Sequence, residues 1–369
     1  MAQTAVVRPE LDARKSSSYM PTLDGWRAIS ILAVMIHHDF IHRMTGMSTL
    51  WFFEHGKVGV DVFFAISGIL ICSRLLDEEQ RFGSISLRQF YIRRAFRILP
   101  PAILYLLVIA LLSALAIIPH VGMDWFGALF FFRNYTRLFG HHLANGVSFT
   151  SHFWSLSVEE HFYLLLPAIL VLTRRKYRVK VLCVLILIVA GNLAFELSRK
   201  PWELIQSHSD IRLDSLFLPA LMAILIRQNT LRIWFRRSGY LWPLTLAVLI
   251  AFITWMPENF GYFIGLAALM PILVLGTVLY PKSILSRFLE LQPLRYIGRI
   301  SYSLYLWQML FFVGHSDTNV NTLGLFQHAP LNYIATFVCA VASYYLLEKP
   351  AMRFGHQLAT RMQRPALAQ

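Results

Sequence analysis

The sequence predicts an all-α, polytopic membrane protein, a bundle of about ten transmembrane helices. Three observations lead there. Hydrophobic residues fill 56% of the 369 positions and charged residues only 15%, where soluble domains carry about a quarter. The apolar residues fall in repeated blocks of roughly 18–22, enough to cross a hydrocarbon core of about 30 Å. The basic residues lie in the short stretches between those blocks, as membrane topology demands.

In chain order, a polar segment at 1–18 reads as a flexible cytoplasmic N-terminus. No small-residue cleavage site follows the first apolar block, so that block reads as a retained span. Residues 19–353 read as a single membrane domain, with spans near 26–43, 58–76, 98–118, 155–173, 179–198, 211–227, 240–257, 260–280, 300–314 and 329–347. Residues 354–369 read as a cytoplasmic C-terminal tail. The block at 125–132, "WFGALFFF", is too short to cross and reads as an external re-entrant or interfacial helix. With ten spans the segments 1–26, 77–97, 174–180, 227–238, 281–299 and 348–369 face the cytoplasm and hold 25 of the 34 Lys and Arg residues. Only six lie in outer segments, a bias that puts both termini inside. The net charge of +14 is therefore a matter of topology, and no nucleic-acid partner is expected. Cys72, Cys183 and Cys339 sit within apolar blocks and read as small buried hydrophobes.

Ionisable side chains inside spans are costly and point to function. In "LDGWRAISILAVMIHHDF" (23–40), Arg27 and His38 are eleven residues apart. At about 100° per residue they share a face, roughly 16 Å apart along the axis, while His37 lies about 80° away. An arginine offers a fork of donors to phosphate, and a neutral imidazole can take a proton from a hydroxyl. The plainer reading is a topology anchor and an interhelical hydrogen bond. His38 and His42, at i and i+4, also fit a metal pair, but no further ligand cluster accompanies them.

Asp61 opens the second span, either orienting His38 or capping its helix. Ser67-Gly68 reads as close helix packing. Arg93, Arg94 and Arg97 present a guanidinium cluster on one helical face, suited to the phosphates of a nucleotide donor or to lipid headgroups. Glu159, one turn before Tyr163, either grips sugar hydroxyls on the outer side or serves the helix dipole. Arg212 and Asp214 read as neutralising one another. Ser301, Tyr305 and Gln308, at i, i+4 and i+7, form a polar seam. No P-loop, dinucleotide fingerprint, H-E-x-x-H or G-x-S-x-G is present.

In this order, "LDGWRAISILAVMIHH", "GKVGVDVFFAISGILI", "FYIRRAFRILPP", "FWSLSVEEHFYLLLP", "IRLDSLFLPAL", "GRISYSLYLWQ" and "LEKPAMR" resemble the acyltransferase-3 family of integral membrane O-acyltransferases. The resemblance runs from about residue 20 to 353. It implies ten spans in the bacterial inner membrane. It also implies transfer of an acyl group, commonly acetyl, from acyl-coenzyme A to a hydroxyl of a cell-surface or lipid-linked glycan, with no metal. The family's paired arginine and histidine land on Arg27 and His38. Its arginine-rich motif lands on Arg93, Arg94 and Arg97, and its outer-side glutamate on Glu159. Gln308 stands where many members have histidine, His161 where glutamine is common and Pro219 where glycine is usual. The fused extracytoplasmic esterase-like domain of some members is not found, so a handoff is expected to need a separate polysaccharide-assembly partner.

The mechanism expected is donor binding by Arg27 and Arg93/Arg94/Arg97, base catalysis by His38, and acceptor binding that involves Glu159, Asp61 and Tyr305. The alternatives are a glycan or glycolipid transporter that consumes no acyl donor, and a structural partner of an assembly complex.

Overall fold

A computed structural model describes residues 19–43, 55–120, 122–139, 149–237, 242–312 and 322–362. The N-terminal segment 1–18, the stretch 140–148 of the expected external excursion and the end of the tail at 363–369 lie outside these. No strand occurs among the described residues. The principal helices are α1 (Pro21–Arg43), α2 (Gly59–Phe82), α3 (Leu87–Ala114), α4 (Gly122–Leu129), α5 (Phe153–Leu172), α6 (Arg178–Leu197) and α7 (Asp214–Arg227). They continue with α8 (Leu244–Trp255), α9 (Phe260–Leu279), α10 (Gln292–Arg299), α11 (Ser301–Phe312), α12 (Leu331–Ser343) and α13 (Lys349–Arg361).

Among the described residues, six helical stretches are long and apolar enough to cross a membrane: Gly56–Phe82, Leu87–Ala114, Phe153–Leu172, Arg175–Leu197, Phe260–Leu279 and Leu331–Arg361. The helix α1 is 23 residues long, but its Asp, Arg and His residues make it more polar than these. The expected spans at 211–227, 240–257 and 300–314 contain α7, α8 and α11, of 14, 12 and 12 residues. At 1.5 Å per residue these cover about 18–21 Å, short of a full hydrocarbon core. The helix α4 has only eight residues and is held by Trp125 Nε1, which donates to the Leu106 carbonyl of α3 at 2.8 Å. Outward faces carry exposed Ile103, Leu107 and Leu111 on α3 and Val184, Leu187 and Ile188 on α6, the surface a lipid tail covers without desolvation cost.

Small residues let the backbones meet. A methyl group on Gly298 of α10 would sit 1.8 Å from the Asp24 carbonyl of α1, and one on Gly68 of α2 would sit 2.5 Å from the Leu216 carbonyl of α7. These contacts press α1, which bears Arg27, and α2 into the bundle. The stretch 354–361, expected as tail, continues α13. It packs along α3, with the Phe96 and Phe354 rings 5.3 Å apart. A π-helical turn at Tyr344–Glu348 joins α12 to α13. It turns Glu348, 1% exposed, toward Ser303, whose hydroxyl donates to the carboxylate at 2.7 Å.

Candidate active site

Five helices, α1, α2, α3, α5 and α11, surround one cavity. Each turns a single stripe toward it. On α5 the stripe is Ser155, Glu159 and Tyr163, at i, i+4 and i+8, and on α11 it is Ser301 and Tyr305, at i and i+4. These spacings place side chains one above another on a helix.

At one end stand Arg27 of α1, Arg74 of α2 and Arg94 and Arg97 of α3. Arg27 donates to Asp24 Oδ1 at 3.1 Å, and the Arg94 guanidinium lies 3.8 Å above the Tyr163 ring. Arg74 is exposed although Cys72 and Leu75 on either side are buried, so its accessible surface faces the cavity. Two adjoining cavities also reach Arg74 and Arg97. Arg93 lines one of them and is held by Glu78 at 3.0 Å. The other is bordered by Tyr19, whose hydroxyl donates to Asp24 Oδ2 at 2.6 Å. Burial, and then that hydrogen bond, raise the Tyr19 phenol above its ordinary pKa.

Further in, Glu159 accepts from Ser67 Oγ at 3.1 Å and from Tyr163 OH at 2.5 Å. Glu160 lines the same wall. At the far end Ser155 Oγ and Tyr305 OH are 2.6 Å apart, and Tyr305 also donates to the His152 carbonyl at 3.1 Å. Four arginines against two glutamates leave the cavity positively charged, a setting that favours an anion.

Arg27 and His38 both lie on the unbroken helix α1. His38 does not line this cavity. Its Nδ1 is 3.4 Å from Gln308 Oε1, and Gln308 is three residues beyond Tyr305 on α11. An amide oxygen only accepts and an amide nitrogen only donates, so the Gln308 side chain and the ring tautomer of His38 are set together. Asp39 accepts from Asn332 Nδ2 at 2.9 Å and Tyr333 OH at 3.1 Å, joining α1 to α12. The His42 side chain lies outside the described residues. Among those described, no group of three His, Cys, Asp or Glu is placed to hold a metal.

The structure departs from two expectations. Asp61 faces Arg212, with which it is ion-paired, and not His38, whose Nδ1 stands at Gln308. Arg212 lies near Asp214 as well, and the Asp214 carboxylate accepts from Ser215 N at 2.7 Å. Glu159, expected on a separate outer side, shares one cavity with Arg27, Arg94 and Arg97. Sequence reasoning missed Arg74 and Glu160. Arg74 follows Ser67 by seven residues, about 20° off its line, so the angular count used for Arg27 and His38 would have found it.

Long apolar helices around a basic, partly enclosed cavity define a multi-pass membrane protein with a positively charged interior cavity. Comparison of the sequence with known families gives the particular kind. Residues 20–349 match the family model for the acyltransferase domain of acyltransferase-3 proteins, and the chain belongs to that family. It is 27% identical over 366 residues to "Peptidoglycan O-acetyltransferase OatA" of Listeria monocytogenes, covering 93% of this chain and 57% of the relative. It is also 27% identical over 374 residues to "O-acetyltransferase OatA" of Staphylococcus aureus, covering 94% of this chain and 59% of the relative. The chain thus spans less than two thirds of the length of these relatives. No solved structure matches it.

Proposed function

We propose that the protein moves an acetyl group from acetyl-coenzyme A to a hydroxyl of a glycan in the bacterial cell envelope. In this reading it lies in the inner membrane with ten spans and both termini in the cytoplasm. The observation that carries it is the cavity itself, with four guanidinium groups at one end and the Ser155–Tyr305 hydroxyl pair at the other. A polyphosphate-bearing thioester has that polarity, anionic at one end and reactive at the other.

Arg27, Arg94 and Arg97 hold the phosphates, Arg74 joins them, and Arg93 stands at the adjoining mouth. Charge-assisted hydrogen bonds of this kind are about twice as strong as neutral ones. Glu159 and Tyr305 line the path of the bound substrates. The acceptor hydroxyl attacks the thioester carbonyl carbon, a C–O bond forms, and His38 Nε2 takes the hydroxyl proton. The C–S bond then breaks, and the thiolate leaves and recovers a proton, giving the ester and free coenzyme A. In this reading Nδ1 donates to the Gln308 amide oxygen, 3.4 Å away, and the lone pair stays on Nε2. A peptidoglycan acceptor draws support from the name of the Listeria relative, and envelope-assembly proteins are the partners this reading implies.

Membrane vesicles given radiolabelled acetyl-coenzyme A and the glycan fraction of the source envelope test the proposal. Wild-type protein labels the glycan, and His38→Ala lowers the rate by about 10²–10⁴-fold at equal protein level. Unlabelled glycan with wild-type protein, or full labelling by the His38→Ala variant, overturns it.

A further inference from the structure

A second pocket lies at the other end of α2. Its floor is the buried Asp61–Arg212 pair, and its walls are Trp154, Trp202 and Tyr262. Gly59 of α2 packs against the Ser30 carbonyl and Val34 of α1. Asp61 therefore sits beside the second half of α1, about 20 Å along α2 from Arg74.

Its chemistry differs from that of the arginine-lined cavity. Asp61 and Glu258 balance Arg212 and Lys57, and Lys57 pairs with Glu258 across the rim. A pocket with no net charge offers little to a phosphate. An acyl chain fits no better, because it would strip water from the Asp61–Arg212 pair and return no hydrogen bond. The Trp202 indole is clamped against Phe263, with ring centroids 3.6 Å apart and planes 23° from parallel. Arg212, 6% exposed, lies 5.9 Å from the same indole, and its Nε has no acceptor among the described residues. A fixed aromatic face, a buried carboxylate–guanidinium pair and an orphaned donor suit a ligand with one apolar face and a rim of hydroxyls. A neutral pyranose ring is such a ligand.

We infer that this pocket seats a sugar ring of the acceptor glycan, with its face on Trp202 and its hydroxyls on Asp61 and Arg212. The assignment rests on the acyl-transfer reading for the identity of its occupant as acceptor. Position supports it. Val60 lines both this pocket and the arginine-lined cavity, and Phe64, which lines the cavity, lies 5.7 Å from the Arg212 guanidinium. One layer of side chains thus separates the seat from the donor.

The test uses full-length protein in detergent and in vesicles, with the solubilised glycan fraction of the source envelope as probe. Calorimetric titration without donor should give saturable binding that Trp202→Ala weakens about 10-fold and Trp202→Phe largely retains. In vesicles Trp202→Ala should raise the glycan concentration for half-maximal labelling by a similar factor, with half-saturation by acetyl-coenzyme A unchanged. Equal glycan affinity in wild type and Trp202→Ala overturns the pocket, whatever the enzyme does. Trp202-dependent binding without labelling by wild type leaves the pocket standing and overturns acyl transfer.

Discussion

His38 and Gln308 are 270 residues apart in sequence and meet at 3.4 Å, Nδ1 to Oε1, where α1 packs against α11. In the proposed mechanism Nδ1 donates to this oxygen and leaves the lone pair on Nε2, which is what a general base must get right. Gln308→Leu keeps the bulk of the side chain and removes the acceptor. Transfer should fall at least about 10-fold with little change in half-saturation by acetyl-coenzyme A. Initial rates in vesicles at matched protein level measure it; an unchanged rate excludes an orienting role for Gln308.

Arg74 was not singled out from the sequence, yet it lines the same cavity as Arg27, Arg94 and Arg97. Hydrogen bonds to charged groups contribute about 1.5–3 kcal/mol. Arg74→Gln and Arg27→Gln should therefore each raise half-saturation by acetyl-coenzyme A by roughly 10–100-fold. A titration of the labelled donor decides the point, and wild-type half-saturation in both variants removes the arginine cluster from donor binding.

The Asp61–Arg212 pair is buried on both sides, with side-chain exposures of 10% and 7%. Asp61→Asn leaves the guanidinium without its counter-charge, at a cost of about 3–5 kcal/mol. Adding Arg212→Met should recover much of this, because an apolar replacement asks for no partner. Thermal unfolding midpoints of the three detergent-purified proteins give the comparison; a double variant no more stable than Asp61→Asn contradicts it.

The helices α1 and α10 touch through Gly298, where a methyl group would meet the Asp24 carbonyl at 1.8 Å. Backbone atoms cannot yield as a flexible side chain can, so Gly298→Ala must part the two helices. We expect about 1–3 kcal/mol of destabilisation and a smaller folded fraction on size-exclusion chromatography. Gly191→Ala on α6, where nothing lies within 4 Å of the added carbon, serves as the neutral control.

Whatever follows from composition and helical period was readable from the chain alone. Hydropathy blocks marked the six long apolar helices, seven ordered motifs indicated the family, and the angular count put Arg27 and His38 on one face. Glu159 and Tyr163 on α5 were linked by the same rule, which holds because neighbours at i+4 meet on any helix. Contacts between helices obey no such rule. That Asp61 answers Arg212 and not His38, that Gln308 stands at His38, and that Glu159 joins the arginines all depend on how helices far apart in sequence rotate and pack. Glycine contacts and buried polar pairs set that packing, and their energies exist only once the helices have met.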